Sequence, residues 1–165
     1  MKLLPAIFSC TCLPFSLLAA PSLEVVLNSS QVKNPFGVTF DKKGNAYIAE
    51  YKGGRIHRLG ADGMFTLLSG NGEQGFAGDG LLADKAVYNG IHNLVCTSNA
   101  DIYISDTRNN LIRKINGKTG IVSTIAGVPG KKGFAGDGGP ALRAELADPI
   151  SISLSPDENT LLIAD

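Results

Sequence analysis

Only two histidines occur among the 165 residues, and one of them holds an unusual position. His92 lies in G-I-H-N-L-V, a segment whose sibling copies in the same chain carry Phe36 and Ile150 at the matching place. An imidazole where the siblings are apolar offers a proton acceptor or a metal ligand near neutral pH. Beside it the lead-in segments of the three copies supply Asn34, Asn89, Asn93 and Asp148, polar side chains able to line a binding site. A second chemical pattern is a carboxylate between glycines, Asp79 and again Asp137, each within G-F-A-G-D-G. Glycine lets the backbone fold tightly enough for carboxylate and carbonyl oxygens to converge on a hard cation. The alternative is a carboxylate that caps its own turn. His92, Asp79 and Asp137 are therefore the candidate metal ligands, although one carboxylate per loop falls far short of the roughly six to eight oxygens calcium takes.

Other reactive side chains have structural explanations. Glu50, Asp106 and Asp165 close the second strand of each copy, and recurrence at one position predicts carboxylates that accept hydrogen bonds from the turn amides that follow. Cys96 matches Phe40 and Leu154, so it is expected as a small core hydrophobe, with Phe40 at the same inward position. His57, which matches Arg113, is expected to face solvent, and Arg108, Arg113, Lys114 and Lys118 are expected on a solvated face. The sequence has no G-x-S-x-G, H-E-x-x-H, nucleotide-binding glycine loop or cysteine pair with metal spacing, and no catalytic residue is assigned.

The elements that must position these residues follow from repetition. G-F-A-G-D-G occurs at Gly75 and again 58 residues on at Gly133, and N-P-F-G-V-T-F-D-K-K-G-N-A-Y-I-A-E is echoed by G-I-H-N-L-V-C-T-S-N-A-D-I-Y-I-S-D and by D-P-I-S-I-S-L-S-P-D. A period of that length marks stacked supersecondary units that bury apolar surface against neighbours. Within a unit, short runs such as Val38/Phe40, Ala46/Ile48, Ile56/Leu59 and Phe65/Leu67 alternate with period two, or nearly so, between turns at Asp41–Asn45, Lys52–Gly54 and Gly60–Gly63. Four antiparallel strands joined by three tight turns make one propeller blade. Only Pro140–Ala147, and its counterpart Leu81–Val87, have the chemistry for a turn or two of helix.

The segments G-N-A-Y-I-A-E with R-I-H-R-L, D-I-Y-I-S-D-T-R-N-N-L-I-R-K-I, T-G-I-V-S-T-I-A-G and G-F-A-G-D-G-G-P-A resemble the NHL-repeat β-propellers, in the secreted bacterial style with A-G-D-G-G-P-A insertions, over Asn34 to Asp165. The resemblance implies an all-β fold, a β-propeller of four-stranded antiparallel blades that closes with about six. The expected organisation is a signal peptide over residues 1–22 and a propeller fragment over 23–165, with repeats at about 34–88, 89–147 and 148–165. That is two full blades plus the start of a third, and such an open array is predicted to self-associate through uncovered edges.

Equal totals of acidic and basic side chains leave no net charge, which argues against a nucleic-acid partner. One lysine, a proline-broken apolar run and a small-residue site ending at Ser22 form an export pattern, too short for a membrane span. The expected protein is secreted or periplasmic, without stable membrane insertion after signal removal. Its expected role is a non-catalytic scaffold that binds a protein or carbohydrate ligand, with no cofactor. The alternative, implied by the resemblance, is a lyase or lactonase assisted by a divalent cation.

Overall fold

In the computed structural model, which describes residues 7–10 and 23–165, twelve strands form four antiparallel sheets. Strands β1 (Ile7–Cys10) and β2 (Leu23–Leu27) pair with each other. The first blade is β3 (Pro35–Phe40), β4 (Ala46–Glu50), β5 (Ile56–Leu59) and β6 (Phe65–Ser69), in that spatial order. The second blade repeats it with β7 (Ile91–Cys96), β8 (Ile102–Asp106), β9 (Leu111–Ile115) and β10 (Val122–Ala126). A third unit contributes β11 (Ser151–Leu154) and β12 (Leu161–Ala164). Except for Ile7–Cys10, the segment expected as a signal lies outside the described residues. The two insertions are held by single 3-10 turns at Ala83–Lys85 and Ala141–Arg143. Among the described residues no helix is long and apolar enough to cross a membrane.

Each first turn is built the same way. Asp41 Oδ1 accepts the amides of Lys43 and Asn45 at 2.9 Å, and the position that needs left-handed backbone is filled successively by Gly44, Ala100 and Glu158. The innermost strands β3, β7 and β11 lie side by side, so the blades fan out from a common axis. Alternation then gives every middle strand two faces to bury. Along β8, Ile102 and Ile104 pack into a core shared with Tyr47, Ala49 and Ile56 of the first blade, while Tyr103 packs against a cluster of Ile112, Ala126 and Ile152 that Leu161 and Ile163 of the third unit also join. All five residues of β4 are buried for the same reason, with Ala46 and Ile48 meeting Leu27 and Val32 on the other face.

The inward position assigned to Phe40 needs correction. Phe40 is 65% exposed and Val38 is 50% exposed, whereas their counterparts Cys96 and Leu94 pack into the core between blades. Both lie on the face of the first blade that only β2 and Val32 cover, so a shared register does not bring shared burial.

Candidate functional site

Three connections meet at one end of the blades, and the sequence fixes their shape. Asn34, Gly90 and Asp148 occupy matching positions just before the innermost strands and all adopt left-handed backbone, at φ of 50°, 68° and 63°. Asn34 and Gly90 begin lead-ins that tie to the following connection of their own unit: Tyr51 N donates to Asn34 O, and Arg108 N donates to Asn89 O, each at 3.0 Å. Glycine is required at 90, because a Cβ there would lie 2.8 Å from Arg108 Cγ and 3.1 Å from Tyr51 Cε2. The missing side chain leaves room for the Arg108 guanidinium to sit 5.3 Å from the Tyr51 ring centre while its Nε donates to Tyr51 Oη at 2.9 Å.

The result is an aromatic cluster. His92 meets Phe36 edge to face and Tyr51 at a tilt, with ring centres 4.7 Å apart in each pair. A cavity of about 500 Å³ opens beside it, lined by Tyr51, His92, Thr107, Arg108, Asn110, Lys132, Asp148 and Ile150. The rim is charged, and Lys132 pairs with Asp148 across it. Burial, then the cation of Arg108, holds the His92 imidazole below its ordinary pKa against the opposing pull of Asp148, so it is neutral at pH 7. Its Nδ1 is buried without a hydrogen-bond partner.

Of the residues expected to line a mouth, His92 and Asp148 come together here. Asn34 and Asn89 shape the connections instead of lining the cavity, and Asn93 lies within β7 with its Oδ1 buried without a partner. Tyr51, Arg108 and Lys132 were not assigned to the site from sequence. Tyr51 stands where the second unit has Thr107, directly after the recurrent carboxylate, and an aromatic residue at that turn is the signal that could have found it.

Asp79 and Asp137 lie on the insertion loops and not with His92. Asp79 Oδ1 is 2.7 Å from Arg113 Nη2, and its Oδ2 accepts the Thr124 amide at 3.1 Å, so this loop staples itself to the next blade. Among the described residues no group of three or more His, Cys, Asp or Glu side chains is arranged to hold a metal ion. Arg113, expected on a solvated face, is fully buried. Asp106 lies 3.4 Å from Nη1, and the rings of Phe76 and Tyr88 flank the guanidinium. His57, expected to face solvent, is buried as well, 3.1 Å from Glu50 Oε1 and stacked on Phe65. A carboxylate at the end of the second strand calls for an inward cation or imidazole on the third, and that overrides the preference of these side chains for water.

The recurrent carboxylates all accept backbone amides from the lead-in, and in the second unit Asp106 also accepts the Asn109 side-chain amide of the following turn, at 2.8 Å. Lys33 N donates to Glu50 at 2.8 Å, Asn89 N to Asp106 at 2.7 Å and Ala147 N to Asp165 at 2.7 Å. They thus fix the entry to each innermost strand, and with it the mouth. Cys96 is half-buried, and burial pushes its thiol up to about 11, away from nucleophilic use.

No family model and no curated protein matches the chain. Solved structures do. A Bacteroides thetaiotaomicron protein of unknown function superposes with TM-score 0.73 at 17% identity, over 87% of this chain and 37% of that one. An auxiliary nutrient binding protein from the same organism gives TM-score 0.64 at 20% identity, over 87% and 37%. A gluconolactonase from Xanthomonas campestris gives 0.57 at 18%, over 86% and 43%. Identities this low establish the fold alone: the chain is a β-propeller segment, and it spans 37 to 43% of the length of these three proteins.

Proposed function

We propose that this propeller, of the secreted NHL type, binds a small polar ligand at the mouth formed by Tyr51, His92 and Arg108, and that its role there is recognition without chemistry. The observation that carries this reading is the composition of the 500 Å³ cavity: aromatic rings on one side, a rim of Arg108 and the Lys132–Asp148 pair on the other, and no nucleophile paired with a base. Aromatic faces pack against the apolar faces of sugar rings, while the Arg108 guanidinium complements a carboxylate. A sugar acid fits both. The fold likeness to an auxiliary nutrient binding protein agrees with a binding role. An NMR titration with sodium glucuronate, and with glucose as the neutral comparison, tests it. Localised shifts at Tyr51, His92 and Arg108 with glucuronate are expected, and their absence with both sugars rules the reading out.

One observation favours the alternative of a lyase or lactonase. His92 is neutral and its Nδ1 has no partner, which suits a proton acceptor. The likeness to a gluconolactonase is in line with that chemistry. Turnover of a sugar lactone that disappears with His92→Ala would establish it over simple binding.

A further inference from the structure

Arg108 is exposed, yet both its backbone and its side chain are fastened. It lies in the 3-10 turn Thr107–Asn109, which is tied down on either side of it. Thr107 Oγ1 donates to Pro149 O at 2.6 Å, and Asn109 Nδ2 donates to Gly75 O at 2.7 Å. Between them Arg108 N donates to Asn89 O. Further out, the side chain runs through the space that a Cβ at Gly90 would need, and its Nε donates to Tyr51 Oη.

What holds this guanidinium is a hydroxyl and a ring face, not a carboxylate. The neighbouring cations are neutralised already, Lys132 by Asp148 at the rim and Arg113 by Asp79 and Asp106 between the blades. Arg108 has no ion-pair partner among the described residues, and Nη1 and Nη2 have no hydrogen-bond partner there either. A long side chain loses rotamer freedom when it is fixed, and an anion that met a loose arginine would bear that loss on binding. Here the ordering precedes the ligand, while the charge and two donor nitrogens stay available to it.

We infer that Tyr51 is a positioning residue for acidic ligands: its hydroxyl takes Nε of Arg108, so that Nη1 and Nη2 together meet the ligand's carboxylate end-on. This rests on the reading of the mouth as a sugar-acid site. A guanidinium offers a carboxylate two forks, one that uses Nε and one made of the two terminal nitrogens. Tyr51 closes the first and leaves the second. The tyrosine therefore has two separable parts. Its ring, packed on His92, provides an aromatic surface for any sugar, whereas its oxygen aims the cation and so sets the preference for an acid over a neutral sugar. The same placement keeps the cation beside His92, where it opposes protonation of the imidazole and Asp148 favours it.

The test is Tyr51→Phe in the 165-residue protein, which removes one oxygen and keeps the ring. Calorimetry with sodium glucuronate and with glucose should show the preference for glucuronate reduced about three- to tenfold, the scale of one hydrogen bond. On an Arg108→Gln background the same change should add nothing further, because the two residues act as a unit. Without any ligand, the NMR titration midpoint of His92 should rise in Tyr51→Phe, since the released guanidinium no longer stays beside the ring. An unaltered preference, equal weakening of both sugars or an unmoved His92 midpoint overturns the inference. Native protein that binds neither sugar defeats the reading of the mouth and this inference with it, whereas native binding with an unaltered preference in Tyr51→Phe defeats the inference alone.

Discussion

Asp79 and Arg113 come from different blades and lie 2.7 Å apart, an ion pair in which the arginine is fully buried and the aspartate is partly open to water. The asymmetry predicts unequal mutational costs. Arg113→Ala leaves Asp106 buried without its cation and should destabilise the fold by about 3 to 5 kcal/mol. Asp79→Asn keeps the loop shape and one polar contact, and should cost about 1 kcal/mol or less. Urea denaturation of the two variants checks the order, and equal losses would mean that the guanidinium is not the anchor of this joint.

Burial along the innermost strands sets a second contrast. Leu94 is 1% exposed between two blades, so Leu94→Ala should cost about 2 to 5 kcal/mol. Phe40 is the larger residue but is 65% exposed, and Phe40→Ala should stay within about 0.5 kcal/mol. Chemical denaturation giving a larger loss for Phe40 would contradict the packing described.

These two cases mark what the sequence could convey. The strands and turns of the two full blades and the short turns inside the insertions followed from period-two alternation and recurring glycines, which are local properties, whereas the pairing of β1 with β2 was not anticipated. The burial of Phe40, His57 and Arg113 was not legible, because it depends on which blade or carboxylate lies across an interface. Alignment showed that Arg113 and His57 share a position; only the fold shows that the shared neighbour is the carboxylate closing the second strand. Likewise His92 stood out by type, whereas Tyr51 and Arg108 joined it only through the Gly90 turn.

Acid stability should follow the carboxyls. Burial pushes Asp41, Glu50 and Asp101 upward, but hydrogen bonds from Asn45, His57 and Lys114 respectively lead the opposing effects, and all three end below their ordinary values. A carboxyl depressed in the folded state is ionised more readily there than in the unfolded chain. Its contribution is thus fully present above the unfolded value, about 4, and is lost as pH falls through the folded one. Burial lifts Asp106 to about 6, which adds stability as pH falls from about 6 toward about 4, so the measured loss should appear only below about 4, where the depressed carboxyls protonate, and Glu50→Gln should flatten that fall. A wild-type curve that is level or rising toward pH 3 would refute the assignment.

His92 titrates in the same sense. Its folded pKa lies below 6.5, so the imidazole stays neutral until the pH drops past the ordinary histidine range. The Cε1 proton resonance should show a midpoint below that value. Arg108→Gln should raise the midpoint, since it removes the nearby cation. A midpoint at or above 6.5 in the native protein would show that His92 is not held as described.

The mouth is the central claim, and calorimetric affinity for sodium glucuronate tests it most directly. Native protein should bind it and discriminate against glucose. Arg108→Gln should remove that discrimination while retaining the fold, and Tyr51→Ala should weaken both sugars. Binding that is unchanged by either substitution would contradict the account, because the ligand would then sit somewhere other than beside Tyr51, His92 and Arg108.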